Sequence, residues 1–354
     1  MSGADRAPGA GETQNPPSVI LREPASRRIS GEAAATVLVP RSAQDDRGQV
    51  RDDAPVVVGL GPVDPELVRP HLPEGTIFVA DPSAGDLAEA EGAIVRAAFD
   101  VDRDLLARMP RLRVVARTGV GVERVDVAAA TERGVAVAVT PGSNSRAVAE
   151  GAFAMICSLV KRVGESHAFV ASGRWGTAAV PVPGDLHGKT FAVLGFGRIG
   201  RIIAGFGEAF GMRVIVHDPF VRAEAYENVS LEEAVRRADA VTLHLPGGGG
   251  ELLPIELLRT AAHGLVLVNC ARADLVRVET LRTALDEGVL SGVGLDVFAQ
   301  EPVADHPLAG HPRVLLSPHT TGLSEGALAA TFRMAAEAVA EVLAGHSPAH
   351  VATV

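Results

Sequence analysis

The sequence predicts an α/β protein of two doubly wound parallel sheets, each covered by helices on both faces. Three observations predict it. Short apolar, β-branched runs alternate with amphipathic stretches rich in Ala, Leu, Glu and Arg, which is how strands buried on both faces look when helices cross between them. There are too many such runs for one ordinary sheet. A long helical stretch at residues 145–173 divides the earlier runs from the later ones.

Taken in order, residues 1–53 are rich in Gly, Pro, Ala, Ser and charge, with only brief apolar bursts such as SVIL and ATVLVP. Too little apolar surface can be buried there to offset ordering entropy, so a mobile extension is expected. APVVVGLG (54–61), AIVRAA (93–98), LRVVART (112–118) and VAVAVT (135–140) are the strands of a first domain. FAVLGFG (191–197), RVIVHD (213–218), AVTLHLP (240–246), LVLVNCA (265–271), GVGLDVF (292–298) and VLLSPHT (314–320) are those of a second. A closing helix is expected over 327–345. The domains are expected at 54–140 with 323–354, and at 141–322.

Of 354 residues 47% are hydrophobic, enough for a sizeable core. The net charge of -10 and pI near 5.6 come from acids spread along the chain, which disfavours nucleic acid and anionic membranes as partners. Cys157 and Cys270 lack metal-ligand spacing and suit a reducing compartment, so a cytoplasmic protein without a metal site or disulfide framework is expected. No leader pattern or long apolar span is visible. Lysine occurs only at 161 and 189 among 33 basic residues, so a single arginine says little about a site.

Gly195, Gly197 and Gly200 follow a strand and open a helix, and Asp218 ends the next strand 18 residues beyond the last glycine. Tight helix–strand packing could by itself require such glycines. Strand, helix and acid together indicate a dinucleotide loop: backbone approaches a pyrophosphate that the helix N-terminus attracts. An acid at 218 would bind an adenosine ribose diol and repel a 2'-phosphate, which favours NAD over NADP. Arg222 stands close enough in sequence to bear on that choice.

Three later segments, VNCARADLV with Arg272, GLDVFAQEP with Glu301 and LLSPHTTG with His319, accompany ARTGVGVERVD upstream. Each residue alone could be structural: a strand-end ion pair, a solvated acid, an exposed loop imidazole. Their order, and spacings of 29 and 18 residues, make residues 54–345 resemble the D-isomer-specific 2-hydroxyacid dehydrogenase family, most closely its 3-phosphoglycerate dehydrogenase branch. The resemblance implies two similar Rossmann-like/flavodoxin-like domains with the active site in the cleft between them, NAD as cofactor, a small 2-oxo or 2-hydroxy acid as substrate, and a homodimer supported by the helix at 145–173.

Reducing a 2-oxo acid needs a hydride at C2, a proton for the carbonyl oxygen, and positive charge or N–H donors for the carboxylate. His319 is the expected acid/base, since imidazole titrates near neutral pH. Glu301 would orient it and favour its protonated form, and Arg272 would grip substrate oxygens with a planar fork. Val120 and Gly121 in TGVGV would complete the carboxylate cradle, although a plain strand-to-helix turn reads the same way. By resemblance, Asp296 would meet the nicotinamide carboxamide. Val120, Arg198, Ile199, Leu245, Cys270, Ala271, Arg272, His319 and Gly322 would line the cofactor.

Several departures bear on the substrate. Arg96 matches a substrate-facing arginine of phosphoglycerate-type members, but Ala97 replaces the expected serine. Ala273, Asp274 and Arg277 stand where two glycines and an acid are usual; GGGG (247–250) replaces a leucine and two threonines; Arg124 replaces an asparagine. Arg96, Arg124 and Arg277 could serve a differently shaped dianion, although a surface position explains the last two as well. A 3-phosphoglycerate/phosphohydroxypyruvate or hydroxypyruvate-like pair is the first expectation. The alternatives are the same chemistry on another 2-oxo acid, or an NAD-sensing binding protein resembling corepressors of this family. A methyltransferase or adenosylhomocysteinase-like enzyme would share only the glycine loop. No regulatory domain is expected after the closing helix.

Overall fold

The computed structural model describes residues 54–352 except 97 and 263. The expected extension at 1–53 and the Ala97 substitution lie outside the described residues. Strands β1 (Val56–Leu60), β2 (Ile77–Val79), β3 (Ala90–Val95), β4 (Val114–Arg117) and β5 (Ala136–Ala138) form one parallel sheet in the order 2-1-3-4-5. Strands β6 (Thr190–Leu194), β7 (Arg213–His217), β8 (Glu227–Asn228), β9 (Ala240–Leu243), β10 (Leu265–Asn269), β11 (Leu290–Leu295) and β12 (Val314–Leu316) form a second parallel sheet, ordered 12-11-10-9-6-7-8.

Helices α1 (Pro65–Val68), α2 (Ala84–Glu89), α3 (Arg103–Ala107) and α4 (Val127–Glu132) connect the first sheet. α5 (Ser145–Val160) and α6 (Val163–Ala171) precede the second, whose crossovers are α7 (Arg198–Ala209), α8 (Leu231–Arg237), α9 (Ile255–Leu258) and α10 (Val278–Asp286); α11 (Glu325–Leu343) returns to the first sheet. Their starts are written locally. Asp102, Asp126, Ser230 and Ser324 each accept the backbone N–H of the third residue beyond, meeting one of the donors that a helix start leaves unpaired.

Alternation along each strand splits the core in two. Val57, Ile94 and Val114 pack under Phe332, Ala335 and Val339 of α11, while Val58, Val95 and Val115 face Leu106, Met109 and Ala129 on the opposite side. In the second sheet Phe191 and Val193 pack with Phe153 and Ile156 of α5 and Ile203 of α7. Ala192 and Leu194 pack with Val235, Leu258 and Leu281 from α8, α9 and α10. No helix among the described residues is long and apolar enough to cross a membrane.

The single helix expected over 145–173 is two. Arg162 adopts a left-handed conformation (φ +53°) between α5 and α6, and its guanidinium pairs with Glu165, which also binds Arg313 at 2.8 Å. The break turns α6 so that this carboxylate lies between two arginines. Strands β2 and β8 were not expected; both are sheet edges, of three and two residues.

Candidate active site

Every expected site residue sits at or just beyond the C-terminal end of a strand. Arg96 follows β3, Val120 and Gly121 follow β4, the glycine loop follows β6, Asp218 follows β7 and Leu245 follows β9. Cys270, Ala271 and Arg272 follow β10, Asp296 follows β11, and Glu301, His319 and Gly322 lie in the loops around β12. Crevices beyond strand ends are where open α/β sheets bind ligands.

The glycine loop is built by close approach. A Cβ on Gly195 (φ +96°) would lie 2.5 Å from the His244 carbonyl oxygen, and one on Gly200 would lie 2.0 Å from the carbonyl oxygen of Gly195, so any side chain would push the turn apart. Gly197 is the N-cap of α7, no side chain caps it, and nothing lies within 4 Å of where its Cβ would be. The first N–H groups of α7, from Arg198 and Ile199 on, are thus left for a phosphate, and the backbone fits a dinucleotide.

Asp218 is tied into the same loop. Its Oδ2 accepts the Phe196 N–H at 2.6 Å and its Oδ1 accepts the N–H groups of Phe220 and Val221, both at 2.8 Å. Burial would raise its pKa, but these three donors outweigh burial and hold it below the ordinary carboxylate value. Cys270 is buried, and burial together with the nearby Asp296 pushes its thiol up to about 12, so it lines the site as an inert group.

His319 and Glu301 are joined, Nδ1 to Oε2 at 2.8 Å, with the imidazole more than half exposed. The other carboxylate oxygen accepts the Phe298 N–H at 2.9 Å, which fixes the acid against its own loop. His319 has φ +56°, a strained region for a residue with a Cβ. The turn is held from below. Asp296, 1% exposed, accepts the Thr320 N–H at 2.9 Å as well as the N–H and hydroxyl of Thr321. Asp296 thus fastens the turn that carries His319. Gly322 packs on the start of α5, where a Cβ would lie 2.7 Å from Asn144 Nδ2.

Arg272 does not touch that pair. Its Nη1 donates to the Ala271 carbonyl at 2.8 Å, and its Nη2 lies 3.3 Å from Glu123 Oε1, a contact that joins the loops of the two sheets. Glu123 escaped the sequence reading because nothing in GVGVER marks an acid as facing an arginine far along the chain. Arg96 lies over the Phe332 ring at 5.4 Å and Arg117 is buried at the end of β4. Burial lowers the pKa of both guanidiniums, and Arg117 also senses the charges of Glu123, Arg124 and Arg96. Arg124 pairs with Asp100 at 2.9 Å and Arg277 with Glu251 at 3.5 Å, so both are engaged on the outside of the site.

The unusual loops meet one another. Gly248 N–H donates to Asp274 Oδ2 at 2.6 Å, and a Cβ on Gly247 would lie 2.4 Å from Asp274 Oδ1 and 3.0 Å from Arg272 Cβ. The glycine run and Asp274 are one contact, seated against the Arg272 side chain. Neither departure could be read from the other in sequence.

A glycine loop at the start of α7, an acid ending β7 and polar groups on neighbouring strand ends define a dinucleotide-binding α/β protein. Residues 153–321 match the model of the D-isomer specific 2-hydroxyacid dehydrogenase, NAD binding domain. D-3-phosphoglycerate dehydrogenase of Bacillus subtilis is 37% identical over 272 residues, covering 75% of this chain and 51% of that protein. The chain spans about half the length of the phosphoglycerate dehydrogenases it matches. Among solved structures, the TT0316 protein of Thermus thermophilus superposes with a TM-score of 0.75 at 32% identity, over 84% of this chain and 100% of that one. An NADPH-dependent glyoxylate/hydroxypyruvate reductase of Sinorhizobium meliloti gives 0.76 at 27% identity, over 84% and 98%. The chain belongs to the D-isomer-specific 2-hydroxyacid dehydrogenase family, and its second sheet is the NAD-binding part.

Proposed function

We propose that the protein is an NAD-dependent oxidoreductase that interconverts a D-2-hydroxy acid and its 2-oxo acid, with His319 as acid/base, Glu301 orienting it and Arg272 binding the substrate carboxylate. The observation that carries the reading is the 2.8 Å His319–Glu301 bond on an exposed, strained turn that follows a strand of the same sheet as the dinucleotide loop. Glu301 occupies Nδ1, which leaves Nε2 of the exposed ring as the atom that gives a proton to the oxo acid's oxygen or takes one from the hydroxy acid. Arg272, together with the N–H groups of the Val120–Gly121 turn, holds the carboxylate. Bound NADH supplies the hydride.

Of the two expected pairs, a phosphohydroxypyruvate-like substrate is favoured by the half-buried Arg96 and the buried Arg117 near the Val120 turn, which suit an acid carrying a second anionic group. NAD is preferred over NADP because Asp218 would repel a 2'-phosphate. We assign the protein to the cytoplasm, consistent with its two free thiols, and to a homodimer. The latter is supported by Val163, Val170, Trp175 and Val182, large apolar side chains left exposed on and after α6. Light scattering of Trp175→Glu should report a smaller particle than the wild type.

The test is NADH consumption over a panel of phosphohydroxypyruvate, hydroxypyruvate, glyoxylate, pyruvate, phenylpyruvate, oxaloacetate and phosphonopyruvate, with His319→Ala beside the wild type. General acid catalysis contributes on the order of 10²–10⁴-fold, so turnover should fall by that much while NADH affinity holds. Wild-type turnover retained by His319→Ala refutes the assignment. NADH binding with no turnover of any acid would favour the NAD-sensing alternative.

A further inference from the structure

Beyond the three residues given chemical roles, one acidic side chain contacts Arg272. Glu123 follows β4 on the turn whose backbone is proposed to cradle the substrate carboxylate. Its side chain folds back over that turn: a Cβ on Gly121 would lie 2.4 Å from Glu123 Oε2 and 3.2 Å from its Cδ. Its other oxygen is 3.3 Å from Arg272 Nη2. A carboxylate therefore already lies between the guanidinium and the backbone expected to hold a substrate carboxylate.

A carboxylate whose task is to orient an arginine normally approaches it from behind, within the protein. Glu123 does the opposite. Its side chain is 66% exposed against 40% for Arg272, so it is on the more solvent-exposed side of the pair. An incoming oxo acid must come from that same side. Arg272 keeps its own anchor, the Ala271 carbonyl at 2.8 Å, and Asp274 and Gly247 hold the loop behind it, so it does not depend on Glu123 for its position.

We infer that Glu123 is a specificity-determining residue that occupies the carboxylate subsite of the free protein and must swing out, as an internal competitor, before a 2-oxo acid can bind Arg272. The inference rests on the dehydrogenase reading above. Substrate affinity is then the intrinsic affinity reduced by the fraction of molecules in which the subsite is open. An acid with a second anionic group gains from Arg96 and Arg117 what it needs to displace Glu123, whereas a small monoanion such as glyoxylate does not. Glu123 thus biases the site against small oxo acids.

The experiment is calorimetric titration of oxamate, a small monoanion, into the NADH-saturated protein, for wild type, Glu123→Gln and Glu123→Ala, with steady-state kinetics on glyoxylate alongside. A partly exposed ion pair is worth up to about 1 kcal/mol, so freeing the subsite should tighten oxamate binding about fivefold in both variants. The glyoxylate KM should fall by a similar factor, with the change falling mainly on KM rather than kcat. Glu123→Asp, one methylene too short to span the same distance, should lie between. Wild-type binding with unchanged or weaker binding in both variants overturns the inference alone, since Glu123 would then stand clear or support Arg272. No oxamate binding by the wild type or by either variant overturns the dehydrogenase reading and the inference with it, whereas binding by the variants alone supports both.

Discussion

Replacing Asp218 tests whether the acid proposed to select the cofactor also builds its loop. A ribose ligand alone could be exchanged for a smaller residue to admit NADP. Here the carboxylate receives three backbone N–H groups, and the one from Phe196 comes from between Gly195 and Gly197. A hydrogen bond to a charged group contributes about 1.5–3 kcal/mol, and a buried donor left unpaired costs about 1–3 kcal/mol. The Phe220 and Val221 donors lie beside exposed chain and can turn to water. The Phe196 donor is attached to a buried residue and cannot do so as readily. Asp218→Ala should therefore cost about 2–3 kcal/mol, centred on that one bond. At about 2–4 °C per kcal/mol for a domain of this size, the melting temperature should fall by about 4–12 °C. Asp218→Asn, whose amide has one accepting oxygen instead of two, should lose about half as much.

The assay pairs thermal unfolding with NADH and NADPH dissociation constants from quenching of cofactor fluorescence. NADH affinity should drop by at least about tenfold, as expected when a good hydrogen-bonded contact worth about 1.4 kcal/mol is lost. NADPH should gain much less than NADH loses, because the glycine loop that both dinucleotides need has been loosened. An Asp218→Ala protein with an unchanged melting temperature would refute the stapling role, and so would one that exchanges NADH for NADPH affinity without loss.

Two further outcomes follow from contacts around the same loops. Gly247→Ala would press its Cβ into Asp274 and Arg272 and should raise KM for the oxo acid; Asp274→Gly should relieve it, with a coupling of about 1 kcal/mol in the double-mutant cycle, and strictly additive effects would sink the coupled-loop account. His244, whose Nε2 is 3.0 Å from Thr242 Oγ1 and whose Nδ1 is buried without a partner, is pushed down to about 3 by burial. An unfolded chain protonates this ring near 6.5, so its stabilisation is complete above that pH and is lost as pH falls toward 3, by up to about 1.4 kcal/mol per unit. His244→Gln should flatten the fall in melting temperature between pH 6 and 4, and an unchanged slope would show that the ring does not carry it.

What could be read in the sequence followed from how strongly physics restricts each choice. Ten strands were legible because a strand covered on both faces must be apolar at nearly every position, as in LVLVN. The edge strands were not. β8 consists of two exposed residues, Glu227 and Asn228, which no apolar pattern can announce, and β2 has only three residues. The break at Arg162 was hidden because LVKRVG is ordinary helical sequence; what ends α5 there is the pairing of Arg162 and Arg313 with Glu165, a contact between distant segments.

The same division runs through the site. Gly195, Gly200, Asp218, Arg272, Glu301 and His319 stood out because close backbone approach, ribose binding, anion binding and proton transfer each admit few residue types. Glu123 did not, and Asp274 stood out only as a departure from the usual residues, since a carboxylate is permitted on almost any polar loop and acquires meaning only from what folding brings opposite it. Both belong to loops in which the chain departs from the usual family residues or stands next to a departure, and both touch or adjoin Arg272. The proton-transfer pair has none of these departures around it. On the proposed roles, divergence is thus concentrated on the group that would hold the acid and leaves the group that would protonate it untouched, which is the pattern expected of a chain that keeps a reaction and changes which acid it accepts.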